Sequence, residues 1–145
     1  LDWQRINFNE VDSVGNMSGN SLTTPNGLGT DGGSGFGWKN VDVIKLGAEY
    51  QYSKTLTLRA GYSDGENPIS GVPLGEVTFN ILAPAVIERH VTLGFTHTLA
   101  SGNELTVAYM HAFDNDESGA NPFFGGTDTI EMYQNSLGVQ YSWKL

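Results

Sequence analysis

Six ionisable side chains fall within or beside stretches whose other members alternate apolar and polar: Lys45, Glu49, Arg59, Glu88, His90 and Glu131. On a wall that is otherwise small and polar, such groups either hold an anionic head group or pair with one another. Glu49 and Arg59 stand on either side of Ser53-Lys54-Thr55, at positions that face each other across a hairpin. Opposite charges directly across a ladder pair readily, which accounts for both. Lys45 has no such partner in the pattern and is the better candidate for ligand contact. A second set is apolar and lies where loops are expected: Phe79, Ile81, Leu82, Val86, Phe123 and Phe124. These suit a hydrophobic landing surface for a ligand or a lid folded over an opening, and the sequence does not choose between them.

Covalent chemistry finds no support. No ordered Ser, His and Asp set, paired catalytic carboxylates or phosphate-binding glycine loop stands out. The glycines of Gly32-Gly33-Ser34-Gly35-Phe36-Gly37 precede no helix, so they cannot cradle a phosphate at a helix N-terminus. Asp114-Asn115-Asp116-Glu117-Ser118-Gly119 copies the first half of a calcium loop, but Gly125 stands where the bidentate Glu is needed. The reading is a solvated acidic loop tip. His97 and His111 fall on one face of their strands and His90 on the other, so they cannot converge on a metal. No enzyme activity, metal or cofactor is expected.

The elements that carry these residues read as β-strands throughout. Leu137, Val139, Tyr141, Trp143 and Leu145 alternate with Gly138, Gln140, Ser142 and Lys144. Successive side chains of a strand point to opposite faces, so one face meets an apolar phase and the other a polar one. Six strands are predicted, over 1–12, 40–52, 56–64, 87–100, 104–114 and 129–145. A three-residue loop at Ser53-Lys54-Thr55 pairs Tyr52 with Leu56 and Tyr50 with Leu58. A second at Ser101-Gly102-Asn103 sets Val91, Leu93 and Phe95 opposite Phe113, His111 and Tyr109, with His90 opposite Asp114. Residues 130–135 change parity ahead of Leu137, which predicts a bulge. Trp3, Trp38, Tyr52, Tyr62, Phe113, Tyr141 and Trp143 lie near strand ends, where an aromatic girdle forms at a membrane interface. Segments 14–39 and 65–86 are long loops, 114–128 is a medium one, and the turns between are minimal. Short turns at one end and long loops at the other characterise transmembrane β-barrels.

Composition agrees with that class. The 145 residues carry a net charge of −9, which argues against a nucleic-acid partner. There is no cysteine, hence no disulfide framework. No apolar run approaches the ~20 residues of a membrane helix. A mean hydropathy of −0.25 does not exclude a membrane, because barrel strands interleave lumen and lipid residues.

From residue 36 onward the chain resembles the outer-membrane long-chain fatty-acid and hydrocarbon transporter family (FadL/TodX type). The matching stretches are Gly37-Trp38-Lys39-Asn40-Val41, Lys45 through Gln51, Leu58-Arg59-Ala60-Gly61-Tyr62, Asn67-Pro68-Ile69, Phe79 through Val86 with His90, and Ile130-Glu131-Met132-Tyr133-Gln134 through Leu145. The resemblance implies the carboxy-terminal portion, residues 1–145, of a fourteen-stranded, up-and-down barrel in the outer membrane of a Gram-negative bacterium. The hatch and earlier strands of that family have no counterpart here, and the chain ends in Leu145 where such barrels usually end in an aromatic. The expected partners are outer-membrane lipid and lipopolysaccharide, a hydrophobic small-molecule ligand and the remainder of the barrel. The expected function is passive uptake of long-chain fatty acids or aromatic hydrocarbons. Two alternatives stand beside it: a soluble β-sandwich or small barrel binding a ligand or glycan, and a structural or adhesive outer-membrane barrel. Whether the apolar strand face is covered by protein separates the soluble alternative from the rest.

Overall fold

A computed structural model describes residues 1–20, 27–69 and 76–143. The alternating segments become β1 (Asp2–Ile6), β2 (Val41–Gln51), β3 (Leu56–Gly65), β4 (Arg89–Thr98), β5 (Glu104–Ala120) and β6 (Thr127–Ser142). They form one antiparallel sheet in the order β1-β2-β3-β4-β5-β6, an up-and-down meander with each strand beside its chain neighbour. The sheet does not close: β1 and β6 each keep one unpaired edge. Two short helical turns, α1 (Asp12–Gly15) and α2 (Glu76–Asn80), lie in the long connections.

The first strand is shorter than predicted. It stops at Ile6, and Phe8–Glu10 turns as a 3-10 helix before α1, which fits the lost alternation at Trp3, Ile6 and Phe8. The fifth strand is longer, because β5 runs through Ala120 and pairs with β6 as far as Thr127. The expected loop over 114–128 therefore shrinks to residues 121–126. Its turn is fixed by Asn121, whose Oδ1 accepts the amides of Phe123 and Phe124 at 2.8 and 3.0 Å.

The hairpin registers test the pattern in detail. In β2–β3, Glu49 meets Arg59 and Tyr50 meets Leu58, as expected. Tyr52 has no ladder partner, because Ser53 and Leu56 exchange backbone bonds around Lys54-Thr55. In β4–β5 the expected register is wrong by two residues: Val91 meets His111, Leu93 meets Tyr109, and His90 meets Ala112 rather than Asp114. The cause is the turn. Leu99 accepts from the Gly102 amide at 2.8 Å and its own amide reaches the Asn103 carbonyl at 2.8 Å, so the loop is Ala100-Ser101-Gly102. Gly102 has φ of +83°, the left-handed region that a side chain disfavours, which pins it to the last loop position. Moving the loop by one residue shifts the ladder by two, so every side chain keeps its face. The predicted irregularity near 130–135 is real, but the extra residue is on β5, where the register slips between Ala112 and Asn115.

The described core is small and sits at one end. Ile69, Val77, Val86 and Ile130 form it, with Trp38 and Met132 packed against them. The surface of 9265 Å² exceeds by roughly 2,000 Å² the ~7,300 Å² usual for a folded 15.7 kDa monomer. Most of the sheet is thus laid open on both sides.

A Cβ at Gly102 would meet no atom within 4 Å, so substitution there tests backbone conformation alone. Gly102→Val is expected to cost about 1–2 kcal/mol in urea unfolding, whereas Ser101→Ala stays within about 0.5 kcal/mol.

Candidate functional site

The sheet has two faces of opposite chemistry. On one face lie Ile44, Leu46, Tyr50, Leu58, Tyr62, Leu93, Tyr109, Leu137, Val139 and Tyr141, and each remains substantially exposed. Leu46 is 53% exposed, Leu93 57% and Val139 66%, so no second layer of the described chain covers them. Between Tyr50 and Tyr109 this face dips into a groove floored by Ala48, Ala60 and Leu93. One polar pair interrupts the face: His111 Nδ1 lies 2.8 Å from Asn135 Oδ1, which also accepts the Tyr109 hydroxyl at 2.6 Å.

Charges mark where this apolar face ends, at the level of the long loops. Arg5 pairs with Asp42 at 3.1 Å, and Asp64 accepts the Tyr62 hydroxyl at 3.0 Å. Arg89 stands 6.0 Å over the Phe113 ring, and Asp116 faces Glu131 across β5–β6. Here one expected placement fails. Ile130 is buried and Met132 packs on the core, so alternation sends Glu131 to the same face as exposed Tyr133. Because the bulge is on β5, β6 never changes parity, and Glu131 belongs to the outer rim instead of the polar wall.

The opposite face carries Lys45, Glu49, Arg59, Glu88 and His90, as the alternation predicts. Arg59 Nε donates to Glu49 Oε2 at 2.7 Å and Arg59 Nη1 to Thr96 Oγ1 at 2.7 Å, with Thr96 and Thr106 hydroxyls 2.9 Å apart. Arg59 is thereby occupied. Lys45 Nζ reaches only a neutral acceptor, Gln4 Oε1 at 2.9 Å, and forms no ion pair among the described residues. Asp2 stands opposite it in the ladder. Ser63 and His90 follow in the same row, and with Thr92 they line a shallow hollow beside Lys45. Glu88 sits higher, where its Oε1 accepts the Asn67 amide at 3.2 Å.

Sequence reasoning overlooked what is missing from this wall. Gly47, Gly94, Ala108 and Gly138 all lie on it, and Gly94, Ala108 and Gly138 share the row of Glu49 and Arg59. A Cβ at Gly47 would meet nothing within 4 Å. The signal was available: glycine recurs inside strands at polar-face parity, which is unfavourable unless bulk must be kept away.

The long loops fold onto the end of this polar face as a cap. Val41 and Ala112 of the sheet are buried beneath it. Asn115 Nδ2 donates to the Val86 carbonyl at 2.9 Å, and Asn67 Nδ2 to Glu117 Oε2 at 3.0 Å. Trp38, expected in the girdle, is instead inside the cap: its Nε1 donates to Asn80 Oδ1 at 2.7 Å, and its ring packs on Phe8 and Phe36. Of the apolar loop candidates, Val86 is fully buried and Phe79 packs on Phe36, which makes both of them structural parts of the cap. Ile81, Leu82, Phe123 and Phe124 remain exposed, at 57%, 73%, 74% and 91%. The acidic run 114–119 is not a loop but part of β5, so its carboxylates alternate between faces, and no metal-holding cluster exists among the described residues. Lys144 and Leu145, the end of the predicted terminal strand, lie outside the described residues.

No family model, no curated protein and no solved structure matches the chain.

Glu49 and Arg59 side chains are 62% and 46% exposed, so water screens their attraction. A double-mutant cycle of Glu49→Gln and Arg59→Gln should give a coupling of about 0.2–1 kcal/mol that shrinks in high salt. A salt-independent coupling of several kcal/mol would mean that the pair is enclosed.

Proposed function

We propose that the chain is part of an outer-membrane β-barrel that passes hydrophobic small molecules, with the apolar face against lipid and the polar face lining the lumen. The observation that carries this reading is the uncovered apolar face, with the loops seated on the polar one. In a water-soluble sandwich the pattern would be reversed, because burial of apolar area contributes ~25 cal/mol per Å² and the loops would fold onto the greasy side.

The dimensions support it. Between the charged rim and the tight turns, the apolar face runs from Ile44 to Tyr52, from Leu105 to Phe113 and from Tyr133 to Trp143. These lengths match the ~9–11 residues that a tilted strand needs to cross hydrocarbon. Six strands with two free edges cannot span a bilayer alone, because each unpaired backbone group costs several kcal/mol there. Further strands, in the same polypeptide or another, therefore complete the wall. The resemblance to the FadL/TodX type family supplies the fourteen-stranded form as the proposed whole, with the tight turns facing the periplasm and the loops outward.

The chemistry of transport is weak, successive contact. Exposed Ile81, Leu82, Phe123 and Phe124 collect an apolar molecule from the outer surface. The glycine-lined wall at Gly47, Gly94 and Gly138 leaves room for its passage, and Lys45 holds an anionic head group. An adhesive or purely structural barrel would need neither the bare wall nor a lysine free of ion pairing.

Two measurements test this. Leu93→Arg should weaken folding into lipid vesicles by about 2–4 kcal/mol, while Thr92→Arg on the other face should change it by under about 1 kcal/mol; equal effects would remove the membrane assignment. Gly138→Phe has room, since the nearest atom to its Cβ is the Ala108 carbonyl oxygen at 3.9 Å. It should leave folding intact and cut cellular uptake of a long-chain fatty acid or aromatic hydrocarbon several-fold, whereas unchanged uptake would remove the lumen route.

A further inference from the structure

The cap contains a carboxyl group in an unusual setting. Glu76, the first residue of α2, is 1% exposed. Its Oε1 accepts the Ser18 amide at 3.0 Å, and its Oε2 has no hydrogen-bond partner. Gly37 lies directly against it: with φ of +67°, its missing Cβ would fall 2.4 Å from Oε2, so the backbone closes over the carboxyl. The Asn80 side chain beneath donates to the Glu76 carbonyl and to the Phe36 carbonyl, both at 2.7 Å, and joins the two loops. Glu76 thus sits where the first loop, through Ser18 and Gly37, meets the second.

No counter-charge faces it. On β6, Asp128 is held by Thr78 Oγ1 at 2.6 Å and Asn121 Nδ2 at 3.1 Å. On β5, Glu117 is held by Asn67. In the first loop, Asp12 and Asp31 are neighbours. The cations of these elements are Lys39 in the first loop and His111 on β5; neither forms an ion pair with Glu76, His111 lying against Asn135 on the apolar face, and segments 21–26 and 70–75 contain no ionisable side chain. Burial raises the Glu76 carboxyl above its ordinary 4.5, and only the Ser18 amide and hydroxyl oppose the rise. Asp12 is raised as well, first by its hydrogen bond to Asp31.

We infer that the cap is a proton-operated clasp: the neutral Glu76 carboxyl seats the two loops together over the polar face, and its ionisation loosens them. A buried carboxylate with a free oxygen is penalised, whereas the acid form gains a donor and loses its charge. The sign follows from linkage. A carboxyl raised in the folded cap gives stability that is whole below its unfolded value and is lost as pH rises through the raised one. The cap is tightest in acid and loosest at neutral pH. The raised Asp12 carboxyl beside Asp31 adds to the change in the same direction.

Amide exchange on the purified chain in detergent micelles reads the clasp without any transport step, so its failure and the failure of the membrane reading are separate results. The reporters are the Gly37 and Trp38 amides, which donate to the Asn16 and Val14 carbonyls at 2.8 and 3.0 Å. After correction for intrinsic exchange, their protection should fall with rising pH, by at most about tenfold per pH unit for each carboxyl. Glu76→Gln should keep them protected at neutral pH and flatten most of the profile, and Asp12→Asn with Asp31→Asn should remove the rest. Gly37→Ala, which crowds the carboxyl, should lower protection at every pH. A profile in Glu76→Gln as steep as the wild type, a rise of protection with pH, or loss of protection in Glu76→Gln at acid pH would overturn the clasp.

Discussion

A pleated strand sends alternate side chains to opposite faces, and in this chain almost every other feature follows from what each face is left to meet. The described residues do not bury the apolar face. Leu46, Leu93, Leu137 and Val139 are all more than half exposed, and the described core is confined to a few residues beneath the loops. A sheet of this kind gains little from internal packing, and in the proposed membrane setting lipid supplies the rest of its hydrophobic stabilisation. That setting links the charged rim at Arg5, Asp42, Asp64 and Arg89 to the polar wall behind it. Formal charge appears on the apolar face of the strands only at the loop end.

The polar face does two jobs at two levels. Near the turns it is a bare wall, where Gly94, Ala108 and Gly138 share a row with the Glu49–Arg59 pair. Near the loops it becomes a floor for the cap, where Val41, Ala112 and Ile130 replace polar residues and are buried, Ile130 among Ile69, Val77 and Val86. The change of character happens within single strands. In β6 it is abrupt, because Ile130 and Met132 take the inner parity while Glu131 and Tyr133 turn outward. The bulge on β5 lets the last hairpin continue past the rim, and α2 leans on that extension through the Thr78–Asp128 contact. Cap and sheet are therefore held by hydrogen bonds from Asn67, Thr78 and Asn115 as well as by apolar contact.

Alternation alone determined the strand count, the antiparallel order and the face of nearly every residue, because a period of two survives any register. Lys45, Glu49, Arg59 and His90 were placed on the polar wall from their parity, and the Glu49–Arg59 pairing from the length of one turn. The sequence also located the two long connections. What it could not decide were matters that depend on three-dimensional closure. The β4–β5 register turned on which loop residue takes a positive φ, and the extra residue of the β5–β6 bulge could sit on either strand with the same parity signal. Glu131 followed that second choice to the outer face. The cap was hidden for a different reason: Trp38, Val86 and Glu76 are far apart in the chain, carry no periodicity, and acquire their roles only when two irregular loops meet over the sheet. Local period is written residue by residue, whereas contact between distant loops is decided by the shape that the whole wall gives them to rest on.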